Sequence, residues 1–477
     1  MDNRSKSTDA HHWAHYFRPE LFAETGEKSV STLMEYLVEC QNREASHVLD
    51  IATPESRLEH WKSRLNDSQS SSGSGLFKHD FLEQLLCRSN HLHDPRYAGH
   101  QVAVPFPELA WLSAATALLN NGMAIDEMGP ASTPMEEAVM QSIAQYMGFG
   151  TKSGGILCHG GTLANLTALL AARQKKAVGN AWEEGVQTPC AVLVSDQAHY
   201  CVDRAVRVMG WGKQGIIEVA TDDQHQMSKG DLYQKFNEAT AAGIHVVAVV
   251  GSACTTSTGA FDDLEMIADF AEAHDVWFHV DGAHGAAQVF SSEHRNVLKG
   301  MERADSVAMD FHKMLGVPAL CTGLFYKDGI DAYGAFSHEA AYLYESQNEE
   351  WWNLSKRTFE CTKRMLSASV FGIWEAHGPL LWESLVVRLI SRAQFAAAQL
   401  NLRDNWEVFA HPKSNILCFR LKGVNNSNLR AKLLKHGPHY IVKTRVNGSD
   451  WLRCTFQNPL TTEDDIIELI DRLEELA

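Results

Sequence analysis

Short apolar runs alternating with longer helical stretches predict an α/β fold built on a mostly parallel sheet. Residues 191–195, 245–251, 276–280 and 323–326 are apolar along their length, as strands buried on both faces are. Between them lie stretches such as 162–176, where Leu163, Leu166, Leu169 and Leu170 fall on one helical face. Strand–helix alternation of this kind makes βαβ units.

The flanks differ from this centre. The first hundred residues are polar and helical in pattern. They are interrupted by Ser68-Gln69-Ser70-Ser71-Ser72-Gly73-Ser74-Gly75, which reads as a flexible link. After about residue 375 the texture changes again: 414–421 and 451–456 look like strands. A last helix is opened by Thr461-Thr462, with Glu463, Asp464 and Asp465 in its first turn. The 477 residues are too many for one small core. The expected organisation is a helical segment over 1–105, packing in a dimer, a large α/β domain over 106–374 and a small α+β domain over 375–477.

Composition narrows the function. Hydrophobic residues make up 45% and charged residues 21%, the balance of a soluble globular protein. No stretch approaches the roughly 20 apolar residues that span a bilayer. The opening Met1-Asp2-Asn3-Arg4-Ser5-Lys6-Ser7 lacks the apolar core of a secretory signal, so a cytoplasmic location is expected, with no membrane partner. A net charge of −17 argues against a nucleic-acid partner, which would require a basic stripe. The ten cysteines include no CxxC pair and no zinc-ribbon spacing, the pattern of reduced thiols.

Four motifs carry chemistry. In Gly154-Gly155-Ile156-Leu157-Cys158-His159-Gly160-Gly161-Thr162-Leu163-Ala164-Asn165, a glycine pair and a hydroxyl residue open a helix. Free backbone N–H groups and the helix dipole there suit an anion, phosphate above all; an ordinary glycine turn is the bland alternative. Ser195-Asp196-Gln197-Ala198-His199-Tyr200 follows a strand and directs a flat ring at the crevice where such sheets bind ligands. A surface-loop histidine would look the same.

His279-Val280-Asp281-Gly282-Ala283-His284-Gly285 ends an apolar strand, where a buried aspartate needs a cationic partner such as a protonated pyridine nitrogen. A structural aspartate, or a metal site from His279, Asp281 and His284, competes with that reading. In Ala304-Asp305-Ser306-Val307-Ala308-Met309-Asp310-Phe311-His312-Lys313-Met314-Leu315-Gly316, a lysine sits in an apolar stretch. Burial is expected to lower its pKa and make it a nucleophile towards aldehydes; the alternative is a solvated helix-end lysine. A phosphate cradle, a stacking histidine, a carboxylate for a ring nitrogen and a buried lysine are together the contacts that pyridoxal 5′-phosphate requires.

As a set, Gly160-Gly161-Thr162 with Asn165, Asp196 with His199-Tyr200, Val280-Asp281-Gly282-Ala283 and His312-Lys313 resemble the group II pyridoxal-phosphate-dependent amino-acid decarboxylases. The resemblance runs from about Asp94 to the end. It implies a fold-type I, aspartate aminotransferase-like architecture, and the family includes decarboxylases of glutamate, cysteine sulfinate, 2,4-diaminobutyrate and aromatic amino acids.

By the same resemblance Lys313 is the Schiff-base lysine, Asp281 pairs with the pyridine nitrogen and His199 stacks on the ring, making these three the catalytic set. Gly161, Thr162, Ser306 and His312 lie near the phosphate, and Thr255 and Ala283 contact the cofactor. Trp451-Leu452-Arg453-Cys454-Thr455 resembles the segment whose arginine holds the substrate α-carboxylate, so Arg453 is the expected anchor. Asp94-Pro95-Arg96-Tyr97 resembles a segment that reaches the site across a dimer interface, implying a homodimer with shared active sites.

The expected reaction is α-decarboxylation of a small polar L-amino acid, either glutamate, aspartate, cysteine sulfinate or 2,4-diaminobutyrate. An aminotransferase, a carbon–carbon lyase or a non-catalytic relative are the alternatives. Two departures from the family pattern stand out. Asp310-Phe311 replaces the Asn-Pro that the glutamate and aromatic branches carry before His-Lys. The segment 345–352 has no tyrosine to protonate the carbanion, which leaves Tyr342, Tyr344 or His199 as donors.

Overall fold

The computed structural model describes residues 13, 14, 16–68, 80–336 and 351–477. The serine–glycine run beyond Ser68, and Tyr342 and Tyr344, lie outside the described residues. Contacts divide the chain into two units, not into the three expected segments. One unit comprises the described residues up to Ala98 with Asn428–Tyr440 and Leu460–Ala477; the other comprises Gly99–Ser427 and Ile441–Pro459. The C-terminal hundred residues are therefore shared, because their strands pair with one another in the large unit while their last helix joins the N-terminal helices.

The smaller unit contains the helices Pro19–Gln41, Pro54–Ser68 and Phe81–Cys87 and the closing helix Glu463–Glu475. That last helix starts as its sequence predicts. Thr462 accepts from the Asp465 amide at 3.2 Å and its own amide donates to Asp465 at 2.7 Å, a capping box. Arg43 closes a two-pronged ion pair on Asp465 at 2.6 and 2.7 Å. Asp94 and Arg96 pair within the same unit at 2.6 Å.

The larger unit is built on seven strands: β1 (Gly154–Cys158), β2 (Cys190–Ser195), β3 (Ile216–Val219), β4 (His245–Ser252), β5 (Trp277–Asp281), β6 (Ser306–Asp310) and β7 (Thr322–Tyr326). Their order is β1-β7-β6-β5-β4-β2-β3, and only β7 runs antiparallel to its neighbours. Alternate residues feed two cores. Leu193, Val249, Phe278 and Val307 face one side, and Val192, Val194, Ala248 and Trp277 face the other. This two-sided burial explains the continuous apolar runs.

Two details differ from the sequence reading. The glycine-rich stretch is a loop only from His159 onward, because 154–158 pairs with β7 as a strand. A Cβ on Gly155 would lie 2.7 Å from the Leu324 carbonyl, so glycine here permits strand approach, not a turn. On the helix Gly161–Lys176, the buried positions are Ala164, Asn165, Thr167, Ala168, Leu169, Leu170, Ala171 and Ala172; Leu163 and Leu166 are half-buried. Small alanines let that helix lie close to the sheet.

Four further strands, β8 (Trp406–Val408), β9 (Ile416–Leu421), β10 (Tyr440–Val446) and β11 (Ser449–Thr455), pair antiparallel. Their register sets Arg453 opposite Cys418 on one side and Val442 on the other.

Candidate active site

Parallel strands that end side by side leave a crevice at their carboxyl ends, and ligands bind there. A cavity of about 270 Å³ occupies this position. Gly161, Thr162, His199, Thr255, Asp281, Ala283, His312 and Lys313, each anticipated from the sequence, line it together.

Each residue arrives by a local device. Gly160, at φ +97°, turns the chain from β1 into the helix Gly161–Lys176, so that helix starts at the cavity. His199 is the N-cap of the helix Tyr200–Val208, with Nδ1 accepting from the Cys201 amide at 3.4 Å. Burial lowers its pKa, so the ring is a neutral, flat wall. Asp281 ends β5 and accepts from the Ala283 amide at 3.3 Å. Thr255 is buried in a tight turn, its hydroxyl meeting Thr258 at 3.0 Å and the Ala260 amide at 3.1 Å. His312 places Nδ1 2.9 Å from the Cys321 carbonyl.

Lys313 lies just beyond β6, its side chain one-fifth exposed (20%), with Nζ 2.9 Å from Asp310 Oδ2. Burial acts to lower its pKa, but the Asp310 charge and hydrogen bond, with Asp281 behind them, outweigh it and hold the ammonium above its ordinary value. The expected depression is thus corrected by a neighbour. For Asp310, burial acts to raise the pKa, but Lys313 and His312 with the Thr322 hydroxyl at 2.5 Å lower it overall.

Two expected residues are not in the cavity lining. Ser306 begins β6 while the cavity lies at its other end, roughly 13 Å along the strand at 3.3 Å per residue. Its hydroxyl is engaged by Trp277 at 2.9 Å and His279 at 2.8 Å, so its expected place beside the phosphate is corrected. Arg453 is buried on β11, with Nη1 donating to the Thr256 carbonyl at 2.6 Å, and Thr256 is part of the cavity wall.

Three further wall residues, Cys201, His159 and His284, have polar partners of their own. Cys201 sets its thiol 3.8 Å from Asp281 Oδ2. His159 pairs with Glu360. His284 meets Asn415 at 2.6 Å. Cys201 is two residues from His199 at a helix start, a spacing that could have marked it. The partners of His159 and His284 are distant in sequence and gave no signal.

The donor set fits pyridoxal phosphate. Lys313 offers an amine for its aldehyde and Asp281 a carboxylate for its ring nitrogen. The helix start offers N–H groups for phosphate. Glycine also lets the helix start sit against the facing cavity wall: a Cβ on Gly161 would lie 3.2 Å from Asp310 Oδ1 and 3.4 Å from the Ala283 methyl.

Residues 83–422 match the family profile of the pyridoxal-dependent decarboxylase conserved domain. The chain belongs to that family. It is a pyridoxal-phosphate-dependent carboxy-lyase acting on an amino acid. The decarboxylase is 28% identical over 456 residues to the aspartate 1-decarboxylase of Aliivibrio fischeri, covering 83% of this chain and 82% of that one. It is 30% identical over 397 residues to the L-2,4-diaminobutyrate decarboxylase of Rhizobium meliloti, covering 81% and 77%. The crystal structure of Oryza sativa TDC with PLP and tryptamine superposes with a TM-score of 0.85 at 21% identity, over 96% of this chain and 98% of that one, and shares the fold.

Proposed function

We propose that the enzyme removes the α-carboxyl group of a small polar L-amino acid, with glutamate, aspartate, cysteine sulfinate and 2,4-diaminobutyrate as candidates. The observation that carries this reading is the gathering of Lys313, Asp281, His199 and the helix start around one small cavity. Relatives named for aspartate and diaminobutyrate decarboxylation support a short polar side chain.

In this reading Asp281 holds a proton at the ring nitrogen, and His199 covers one ring face. Gly161 and Thr162 hold the phosphate, with His312 close by, while Thr255 and Ala283 pack against the ring. Bound pyridoxal phosphate supplies an electron-withdrawing ring that takes up the pair released with CO₂. Arg453 would hold and orient the substrate α-carboxylate, a bidentate task that suits its planar fork. Lys313 would hold the cofactor through its amine. His199 is the described candidate for returning the proton to Cα.

The working assembly is a homodimer with shared sites. On the helix Leu109–Leu119, Trp111, Leu118 and Leu119 are exposed apolar side chains, a face that a second copy would cover. A cytoplasmic location accords with ten cysteines that are all free thiols. Among the described residues no helix is long and apolar enough to cross a membrane.

The deciding experiment supplies each of the four amino acids to the cofactor-loaded enzyme and quantifies CO₂ and amine, with Lys313→Ala alongside. One substrate yielding stoichiometric amine, lost in the variant, is the expected result. Keto acid in place of amine would overturn the reading.

A further inference from the structure

A chain of buried hydrogen bonds joins the start of the helix Gly161–Lys176 to β5 and β6. Trp277 Nε1 donates to Ser306 Oγ at 2.9 Å, Ser306 Oγ lies 2.8 Å from His279 Nδ1, and His279 Nε2 lies 3.0 Å from Asn165 Oδ1. Asn165 Nδ2 then donates to the Gly161 carbonyl at 2.8 Å. All four side chains are buried.

The direction of every bond follows from the ends. An indole N–H only donates, so the Ser306 oxygen accepts it and turns its own proton to His279 Nδ1. Asn165 spends an amide proton on Gly161, so its oxygen faces His279 and accepts from Nε2–H. His279 is therefore a neutral Nε2–H tautomer, and burial lowers its pKa to about 4, which keeps it so. Reversing any one group leaves a buried donor or acceptor without a partner.

His279 and Asp281 are two residues apart on β5 and so share one face of the sheet. Asp281 and the helix start line one cavity. A ligand whose ring nitrogen and phosphate are joined through one ring and a short arm needs those two groups within a narrow range of separations.

We propose that Asn165 and His279 are positioning residues for the cofactor phosphate, setting the first turn of the helix Gly161–Lys176 against the strand that carries Asp281. The inference rests on the assignment of the phosphate to that helix start. It also gives Ser306 a role: it acts on the phosphate site from the far end of its strand, through His279.

The test uses apoenzyme titrated with pyridoxal 5′-phosphate and, separately, with pyridoxal, which has the same ring and aldehyde but no phosphate. Binding is followed by tryptophan fluorescence and cofactor absorbance. Asn165→Asp keeps the size but cannot donate to Gly161; His279→Leu breaks the chain; His279→Gln keeps one donor and one acceptor. Asn165→Asp and His279→Leu should weaken pyridoxal phosphate roughly tenfold or more, leave pyridoxal within about twofold, and His279→Gln should restore most of the loss. Ser306→Ala, a small change in volume, should show the same selectivity in weaker form and serves if the larger changes do not fold. Equal losses for both ligands, or no loss for the phosphate form, overturn the proposal. If wild-type apoenzyme binds both ligands equally, the phosphate assignment itself fails.

Discussion

Lys313 Nζ sits 2.9 Å from Oδ2 of Asp310, three residues earlier in the chain. The carboxylate is held from its other side by the Thr322 hydroxyl at 2.5 Å, so it is a fixed counter-charge and not a passing contact. The lysine is thus delivered to the cavity as a paired ammonium.

That pairing predicts a pH effect. An amine attacks an aldehyde only when unprotonated, and Asp310 raises the Lys313 pKa. Capture of pyridoxal phosphate by apoenzyme should therefore speed up as pH rises. In Asp310→Asn the midpoint of that rise should fall to lower pH. Stopped-flow absorbance across the alkaline range measures it, and an unshifted midpoint would show that Asp310 does not control the lysine.

Substitution at Arg453 should separate substrate from cofactor. Arg453→Lys keeps the charge but loses the planar fork. KM for the decarboxylated amino acid should rise roughly 10- to 100-fold, with the cofactor dissociation constant unchanged. Steady-state kinetics beside a cofactor titration distinguishes the two. Loss of cofactor affinity would make Arg453 a structural strut for the Thr255-Thr256 turn.

A buried ion pair lies behind β1. Lys363 Nζ donates to Glu136 Oε1 at 2.5 Å and to the Leu157 carbonyl at 2.6 Å, and the Leu157 amide donates to the same carboxylate at 2.9 Å. Lys363→Met strands a carboxylate in the core and should destabilise the fold by about 3–5 kcal/mol. The double variant Glu136→Gln/Lys363→Met should cost less. Chemical unfolding of both checks the order, and equal losses would contradict it.

Acid should unfold the protein earlier than its carboxylates alone require. Burial lowers His279 to about 4 and His284 to about 3, from an ordinary 6.5. The unfolded chain therefore binds more protons below pH 6.5, and stability falls as pH drops from there towards the folded values. Each histidine contributes a slope of about 1.4 kcal/mol per pH unit within that window. His279→Gln should flatten the fall, as read by denaturant midpoints between pH 7 and about 5.

Much of the site was legible because its signals are local. An apolar run marks a strand buried on both faces, and a residue just past such a run must face the crevice. That reasoning alone brought His199, Asp281 and Lys313 to the same edge. The capping box at Thr462 was legible for the same reason, since both its partners lie within one turn. The cofactor assignment came from the set of motifs in order, not from any one of them.

What the tertiary structure decided is everything that depends on register and distance. Whether 154–158 is loop or strand depends on β7, more than 160 residues away in sequence. The protonation of Lys313 depends on how the chain past β6 folds back on Asp310, a contact that can outweigh burial only at hydrogen-bond range. Ser306 looked like a phosphate ligand, yet it stands at the opposite end of its strand and bonds to His279. Residue order along the chain determines which chemistry is available. Packing determines which groups meet, because charges and hydrogen bonds act over a few ångströms that sequence separation does not encode.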